Sequence, residues 1–541
     1  MDSDAADPHS VLVQVGNLVV QGKTNQTSRV ANYLGIQYAT IPARFRQSKP
    51  TNLREASGTL DATQYGPRCP QITLDRPETA HLYQDVHRSS VYPMDEFGCL
   101  RLNIYVPQGA HGPLPVVVWI HGGGFIFGDG NSECDGNYLV QHSLDKGKSI
   151  VFVALNYRLG FFGFLTSKEL RAEAEASGET AFSNMALHDQ RVALLWIQEH
   201  IQHFGGDPAN VTIAGESAGG WSVLAHLRSD VPVCQRGIIL SSPNLDFPKP
   251  EEAQETFDEL VASAGVATTA SAEQKLEALR NLDADKVVKL MLPRLATPLW
   301  DEKWFVYQDG KRPVAGPAPF APWVKGVVAG STRDEAAIFG AVQWRTWTPQ
   351  QFEDRVKSSF ADPKVVQELV GAYGISSTAS QEKCLAGFVA MATDSIFSGL
   401  PFVIAEHSSD SSTPVSLYRF DQADTFAQSP LKGYAYHALD NPFFFRLPAV
   451  AGPNADPNTR ETADRLSEAI LDFTYGSQPW PAYHLKQNIL IFNGKETRLE
   501  ELTEKDRWRK VTMSGDLARA KGTWRSGNKL LGIRHCSMDK D

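Results

Sequence analysis

The chain has 541 residues, of which 42% are hydrophobic and 21% are charged, the composition of an ordinary globular protein with a large core. Its 52 basic and 62 acidic residues leave a net charge of -10, which argues against nucleic acid as a partner because phosphate contacts need clustered Lys and Arg. Six cysteines without a CxxC pair argue against a disulfide scaffold and against a structural zinc site.

The first ten residues, MDSDAADPHS, are acidic and polar. They lack the basic and apolar regions of a secretory signal. No continuous apolar run approaches the roughly 18 residues that a membrane span needs. We therefore expect a soluble protein without a membrane span, located in the cytoplasm. Secretion would require that a leader had been removed.

The N-terminal half alternates apolar runs with helical patterns, which is typical of a mostly parallel sheet covered by helices. Residues 115–120 predict a buried strand that ends in HGGGF, and residues 149–157 predict another. The pattern over 185–206 predicts a helix with one apolar face, which Gly205 is placed to stop.

A short strand (210–214), a helix (218–227) and a further strand (237–242) follow. Residues 247 to about 313 are helical and acidic, as expected of an insertion that covers the sheet.

Strand patterns resume at 325–331 and 414–420, with mostly helical sequence between them, and a helical pattern near 466 closes the series. The tail beyond about 515 is basic and polar and carries no motif. We find no internal repeat, so we predict a single domain over 1–541 with a core of about 12–515.

The sequence GESAGG, residues 215–220, lies between a predicted strand and a predicted helix. This arrangement is typical of a nucleophile elbow, whose tight turn requires small residues on both sides of the serine. Ser217 would then project at the positive end of the helix dipole. The alternative is a serine that only caps the helix.

A serine nucleophile needs a base, and the attacked carbonyl needs hydrogen-bond donors where negative charge develops. The segment HGGGF at 121–125 can supply such donors, because consecutive glycines let the backbone turn its N–H groups inward. A phosphate cradle is a minor alternative, since neither GxGxxG spacing nor a Walker lysine follows.

Further segments complete a recognisable pattern. They are, in chain order, GIQYA (35), GPRCPQ (66), CLRLNIYVP (99), WIHGGGF (119), NYRLGFFGFL (156), HDQRVALLWIQ (188), FGGDPANVTIAGESAGG (204), GSTRDEAAIF (330), AYHALDNPFFF (435) and QPWPAYH (478). Over about residues 12–500 the chain resembles the type-B carboxylesterase/lipase family, which includes carboxylesterases, cholinesterases and fungal lipases. The resemblance implies an α/β-hydrolase fold, with a central, mostly parallel sheet flanked by helices and helical insertions that cover an active-site gorge.

The resemblance also implies a Ser-Glu-His triad in that chain order. Ser217 matches the nucleophile and His437 the base, which would take the serine proton and return it to the leaving alcohol. Glu335 matches the acid, although alanine follows it where the family usually has glycine, and Asp334 is the rival. Glu216 is set aside, because a residue adjacent to the nucleophile cannot also orient the far side of the base.

The family's oxyanion donors match the backbone N–H groups of Gly123, Gly124 and Ala218. Ser241 matches a serine that supports the triad from behind, or is simply a hydroxyl at the end of a strand. We expect His121 to pack or hydrogen-bond beside the oxyanion loop rather than to act as the base.

Cys69 and Cys99 match a disulfide of the family. Because the sequence shows no signal peptide and cytosolic thiols usually stay reduced, two free thiols are the alternative to this disulfide. The other cysteines, expected as free thiols, are Cys134, Cys234, Cys384 and Cys536.

The function that follows is hydrolysis of a carboxylic ester of a small or medium apolar molecule through an acyl-enzyme, with no cofactor and no metal. The expected partner is the small-molecule ester substrate; the sequence leaves the oligomeric state open. No Trp occurs between Cys69 and Cys99, which argues against choline esters. Trp221 either shapes a pocket for a bulky apolar group or packs in the core.

Three alternatives remain. The same nucleophile could serve an intracellular biosynthetic acyltransferase or cyclising hydrolase acting on a secondary metabolite. A non-catalytic binding member of the family would need no triad. A triacylglycerol lipase would need an amphipathic lid after Cys69, where HLYQDVHRSSVYP is too polar and too short.

Overall fold

The computed structural model describes residues 9–25, 28–74, 76–84, 86, 91–244, 248, 250–291, 297–299, 304, 320–360, 362–408, 413–502 and 531. The strands are β1 Ser10–Val15, β2 Asn17–Thr24, β3 Val30–Gln37, β4 Ala39–Thr40, β5 Lys49–Pro50, β6 Ser57–Asp61, β7 Arg101–Pro107, β8 Leu114–Ile120, β9 Val151–Leu155, β10 Gly206–Glu216, β11 Arg236–Leu240, β12 Gly326–Thr332, β13 Val415–Phe420, β14 Asn488–Phe492 and β15 Arg498–Glu501.

The α-helices are α1 Asn137–Asp145, α2 Gly160–Phe164, α3 Lys168–Ala176, α4 Met185–His200, α5 Ala218–Leu227, α6 Pro250–Ser263, α7 Ala272–Arg280, α8 Ala284–Met291, α9 Ala337–Trp344, α10 Pro349–Ser359, α11 Pro363–Tyr373, α12 Gln381–Thr393, α13 Gly399–His407, α14 Asp440–Phe444, α15 Pro448–Ala451, α16 Pro457–Thr474 and α17 Tyr483–Lys486. A π-helical turn, Asp394–Ser398, joins α12 to α13. Short 3₁₀ turns lie at Leu53–Glu55, Pro77–Leu82, Ser132–Cys134, Ile201–Phe204 and Gly494–Glu496.

One large sheet of 13 strands organises the described chain, in the order β1-β2-β3-β7-β9-β8-β10-β11-β12-β13-β14-β15 with β6 beside β2. The strands from β9 to β14 in this order pair in parallel. Antiparallel pairs flank them on both sides. The predicted central, mostly parallel sheet flanked by helices is thereby confirmed.

The sequence of β8 explains why this part of the sheet is central. All its residues, LPVVVWI, are buried, which is expected of a parallel strand that is covered on both faces. Val116 and Val118 pack into one hydrophobic cluster, whereas Val117 and Trp119 pack into the other. Alternating side chains thus join the cores on the two sides of the sheet.

The predicted insertion at 247–313 contains three helices in its described part, α6, α7 and α8. The amino group of Lys275 lies 2.8 Å from the carboxylate of Glu169, and Arg280 lies 2.6 Å from Glu173. These ion pairs fasten α7 to α3. Most of the remaining insertion, and the tail beyond 515 apart from 531, lie outside the described residues.

Within the described ranges, one helical stretch, Gln381–Glu406, is long and apolar enough to cross a membrane by length and composition, where the sequence predicted no span. Of its most apolar window, 67% is buried inside the protein. Its apolar residues are therefore accounted for by core packing.

Cys69 and Cys99 are both buried and are free thiols rather than a disulfide. The backbone N–H of Leu159 donates a hydrogen bond to Cys69 Sγ at 3.3 Å. The sequence left open a disulfide or two reduced thiols at this pair, and the structure has the two reduced thiols.

Candidate active site

Ser217 occupies a sharp turn between the end of β10 and the start of α5. Its backbone has φ 55° and ψ -122°, a left-handed conformation that is costly for any residue other than glycine. A Cβ on Gly219 would lie 2.0 Å from the carbonyl oxygen of Ile120, and one on Gly215 would lie 2.6 Å from the Gly219 backbone. The turn therefore closes only with glycine at both positions, as the motif predicted.

The HGGGF segment folds back over this turn. Gly123 and Gly124 have φ values of 102° and 59°, and the N–H groups of Ile126 and Phe127 donate to the carbonyl oxygen of Gly123. A Cβ on Gly122 would lie 3.1 Å from that of Ser217, so the loop packs directly against the serine.

The three backbone groups predicted as oxyanion donors are available to a ligand. Among the described residues, the N–H groups of Gly123, Gly124 and Ala218 donate to no protein acceptor. Free N–H groups next to a serine are what a developing negative charge requires.

Glu335 and His437 come from loops that follow neighbouring strands, β12 and β13. Glu335 is fully buried; its Oε1 accepts a hydrogen bond from the Thr332 N–H at 2.7 Å, and its Oε2 lies 2.5 Å from His437 Nδ1. Its rival Asp334 instead pairs with Arg333 at 2.7 Å and accepts from the Ala435 N–H at 3.0 Å. Of the two candidate acids, Glu335 is the one that contacts the imidazole.

The other imidazole nitrogen contacts a residue that the sequence reasoning set aside. Glu216 Oε1 lies 3.1 Å from His437 Nε2, and Asn441 donates to Glu216 Oε2 at 3.4 Å. A sequence signal did exist: Glu216 ends a buried strand, and a buried carboxylate requires a partner. The sequence argument excluded Glu216 only as the acid that holds Nδ1 of the base. It did not predict a contact between Glu216 and Nε2.

The buried carboxylates determine the electrostatics around the imidazole. Burial alone would lower the pKa of His437, but the carboxylates of Glu216 and Glu335 outweigh it and raise the pKa to about 9. Burial, reinforced by neighbouring carboxylates, raises the pKa of Asp440 to about 8. Burial also raises the pKa of Glu216, to about 7, although His437 opposes it.

Two aromatic rings pack against the imidazole. The ring centroid of His437 lies 4.5 Å from that of Phe397 and 5.6 Å from that of Phe339. Phe397 belongs to the π-helical turn, and irregular turns of this kind are frequent at functional sites.

A cavity of about 400 Å³ opens above Ser217. Gly123, Gly124, Ala218 and His437 also line it, so the predicted nucleophile, base and oxyanion donors share one space. The large apolar side chains of the lining include Ile72, Leu74, Trp119, Phe125, Ile126, Phe127, Ile338, Phe339, Ile396, Phe397 and Phe445. On the polar side, Arg76 pairs with Glu133 at 2.6 Å.

Three further predicted residues lie close by. His121 Nδ1 lies 2.9 Å from the carbonyl oxygen of Gly122, its ring stacks on Tyr157, and burial lowers its pKa to about 4. Ser241 is fully buried with φ 47° and its N–H donates to Gly330. Trp221 is buried and packs edge-on against Phe125. The hydroxyl of Ser241 has no hydrogen-bond partner among the described residues, so its supporting role stays a prediction. Trp221 is not part of the cavity lining and packs in the core.

The central part of the sheet is parallel, and one of its strands, β10, leads through the strained Ser217 into helix α5. This arrangement defines an α/β-hydrolase. The chain belongs to the carboxylesterase family, whose sequence model matches residues 7–515.

Individual relatives agree with this assignment. The chain is 29% identical to the Para-nitrobenzyl esterase of Bacillus subtilis (strain 168), over 91% of this chain and 97% of that protein. It is 36% identical to Secreted lipase 1 of Botryotinia fuckeliana (strain B05.10), over 45% of this chain and 44% of that protein. A solved PNB esterase matches with a TM-score of 0.70 at 26% identity, covering 92% of this chain and 99% of the other.

Proposed function

We propose that the protein is a serine carboxylesterase that hydrolyses the ester of a small or medium apolar molecule through an acyl-enzyme. Ser217 attacks the carbonyl carbon while His437 takes the Oγ proton. Glu335 holds the imidazole at Nδ1 and stabilises the imidazolium. The N–H groups of Gly123 and Ala218, with that of Gly124, bind the oxyanion.

The observation that carries this proposal is the shared cavity. Ser217 and His437 open into the same space, whereas Glu335 lies buried behind the imidazole. The imidazolium returns its proton to the leaving alkoxide, and water then attacks the acyl-enzyme with the same base. Apart from the substrate and the attacking water, every group in these steps is a side chain or amide of the chain itself.

The apolar lining of the cavity supports the substrate class. Aromatic and aliphatic side chains surround Ser217, and the cavity of about 400 Å³ falls within the size range of sites for small ligands. One relative is named for a nitrobenzyl ester. We therefore propose aryl and short-chain alkyl esters as the first substrates to test. The cytoplasmic location stays a prediction, since another relative is named as secreted.

The decisive experiment replaces Ser217 with Ala. We expect hydrolysis of p-nitrophenyl butyrate to fall by at least about 10³-fold with folding intact, because the nucleophile is lost while the cavity remains. Ser222→Ala is the matched control: this serine lies on the same helix, and its hydroxyl donates to the carbonyl oxygen of Ala218. Undiminished turnover by the Ser217 variant would contradict the proposal.

Two further measurements separate the alternatives. An acyltransferase would divert product from the acid to a new ester when an alcohol is added, so the product ratio distinguishes it from a hydrolase. A non-catalytic binding protein would not form an adduct with a fluorophosphonate. We expect mass spectrometry to show that adduct on Ser217.

A further inference from the structure

Two arginines lie in the wall of the mostly apolar cavity around Ser217. Arg68 and Arg76 both line this cavity, together with Asp129 and Glu133. None of these four side chains takes part in the proposed ester chemistry. A guanidinium carries five N–H donors and does not lose its proton in a protein, so each arginine needs acceptors. The acceptors that the protein does not supply must come from whatever the cavity binds.

The protein supplies Arg68 with a single side-chain acceptor. The residue is only 6% exposed, and its Nε donates to the carbonyl oxygen of Tyr92 at 3.2 Å. Among the described residues, its two terminal nitrogens have no hydrogen-bond acceptor and no carboxylate forms an ion pair with them. A buried charged donor without an acceptor is costly. These N–H groups therefore require an acceptor from the cavity.

Arg76 is held in place but also keeps unused donors. Its Nη2 donates to Glu133 at 2.6 Å, and its guanidinium lies over the ring of Phe127, 5.7 Å from the centroid. Both partners line the cavity, so they fix the guanidinium at the wall. Within the described part of the chain, no acceptor takes the hydrogens of its Nε or Nη1. A guanidinium fixed in this way loses little conformational entropy when it binds a ligand.

The formal charge of this part of the wall is balanced. The two guanidinium groups are matched in number by the carboxylates of Asp129 and Glu133, which both act on Arg76. An anionic ligand would add a negative charge close to these carboxylates, whereas a neutral carbonyl oxygen would not. Such an oxygen still accepts hydrogen bonds from the arginines. The wall therefore fits a ketone better than a carboxylate.

We propose that Arg68 and Arg76 form a specificity subsite, which binds a neutral carbonyl oxygen on the part of the substrate remote from the scissile ester. The preferred substrates are then apolar esters that carry one additional ketone group. This inference rests on the proposed function of Ser217 and narrows its substrate class. The two arginines bind the substrate and take no part in proton transfer.

The test compares esters that differ in one group of nearly constant shape. On the alcohol side, para-acetylbenzyl butyrate carries a carbonyl group where para-isopropylbenzyl butyrate carries a methyl-substituted carbon. Benzyl levulinate and benzyl isocaproate make the same comparison on the acyl side. We expect the parent protein to favour the carbonyl ester of at least one pair by about tenfold in kcat/KM, the usual value of a hydrogen bond to a charged donor.

Arg68→Met and Arg76→Met should each reduce this preference, while kcat/KM for the isopropyl ester stays within about twofold of the parent. A merely structural role of the arginines would lower the turnover of both esters together. Arg171→Met is the matched control: Arg171 also pairs with a glutamate, Glu175, and lies over a phenylalanine ring, Phe182, but does not line the cavity. If Arg68→Met does not fold, Arg68→Lys serves instead, since lysine keeps the charge but lacks the planar set of donors.

Equal kcat/KM values within both pairs for the parent protein, or a preference that survives in both arginine variants, would overturn the inference. Faster turnover of para-carboxybenzyl butyrate than of the acetyl ester would also contradict it, because that result indicates an anion site. Binding of the same esters to Ser217→Ala, measured by calorimetry, needs no turnover. It therefore tests the subsite even if the protein hydrolyses no ester and the proposed function fails: tighter binding of the carbonyl ester supports the subsite, and equal binding refutes it.

Discussion

Individual residues at the site adopt backbone conformations that most side chains avoid. Ser217, Phe125 and Ala438 all have φ values between 55° and 66°, and each lines the cavity. Such conformations cost about 1 kcal/mol or more per residue. Hydrogen bonds offset the cost: the Phe125 carbonyl oxygen accepts from the Gly160 N–H at 2.7 Å. At these three positions the surrounding sheet and loops enforce the strained backbone.

Gly123 provides the sharpest test of this strain. An added Cβ would lie 2.0 Å from the carbonyl oxygen of Phe127, and φ is 102°. We expect Gly123→Ala to displace the loop and to lower kcat for p-nitrophenyl butyrate by about 10²-fold to 10³-fold, the usual loss for an oxyanion donor. The control is Gly147→Ala, which shares a positive φ but has open space around its Cβ. Circular dichroism should show both variants folded; a kcat within threefold of the parent for Gly123→Ala would refute the prediction.

The sequence predicted the residues of the proposed triad but not all of the contacts that their side chains make. Glu335 and His437 were identified from short segments, and the structure brings their side chains within hydrogen-bonding distance. The contact between Glu216 and His437 was missed because it depends on two side-chain conformations and on a loop that returns from a different strand. No spacing in the chain encodes that geometry.

The apolar patterns predicted the type and place of the main helices and strands, but they did not predict where each element begins and ends. The predicted helix over 185–206 begins at Met185 but ends at His200, where a 3₁₀ turn continues to Phe204. The strand predicted at 210–214 runs from Gly206 to Glu216, because β8 pairs with Gly206 and again with residues 211–215, and β11 pairs with Glu216. The antiparallel strands before residue 110 were not predicted. Pairing decides where an element stops, and pairing partners are distant in the chain.

Helix α16 offers a test at the level of a single element. Its N-cap residue, Asp456, accepts hydrogen bonds from the N–H groups of Asn458 at 2.9 Å and Thr459 at 3.1 Å. We expect Asp456→Ala to lower the free energy of unfolding by about 1 kcal/mol, because these donors lose their acceptor. Asp456→Asn keeps an acceptor and should stay close to the parent. Urea unfolding measures both, and equal midpoints for the Ala variant and the parent would refute the role of the cap.

For the molecule as a whole, strand order explains how distant residues meet. β10, β12 and β13 are parallel, and Ser217, Glu335 and His437 follow their carboxyl ends, all at one edge of the sheet. Ligand sites in open parallel sheets lie at this edge. The alternation of strands and helices was enough to predict the sheet, but the pairing of β13 with β12 follows from the tertiary fold.

The buried ion pair between Arg158 and Asp189 allows a test of what stabilises the whole fold. Two nitrogens of Arg158 each donate to Asp189 at 2.7 Å, and both side chains are at most 1% exposed. We expect Arg158→Met to destabilise the protein by about 3–5 kcal/mol, since it leaves a buried carboxylate without its counter-charge.

The control for that pair is Arg465→Met, which breaks an exposed pair with Glu461 on α16 and should cost less than about 1 kcal/mol. Urea midpoints compare the two variants. If Arg158→Met lowered the free energy of unfolding by as little as the control does, the interior would tolerate the unpaired carboxylate of Asp189, and the prediction would be wrong.

The nucleophile strand β10 has several paired strands on each side of it, since the margins of the sheet are formed by β1 and β6, which both pair with β2, and by β15. Fraying starts at margins, where a strand has a single neighbour, and costs little free energy there. Loosening of either margin would leave the strand–serine–helix unit intact. Warming should therefore spare turnover until the sheet melts cooperatively, so that heat inactivation and global unfolding coincide.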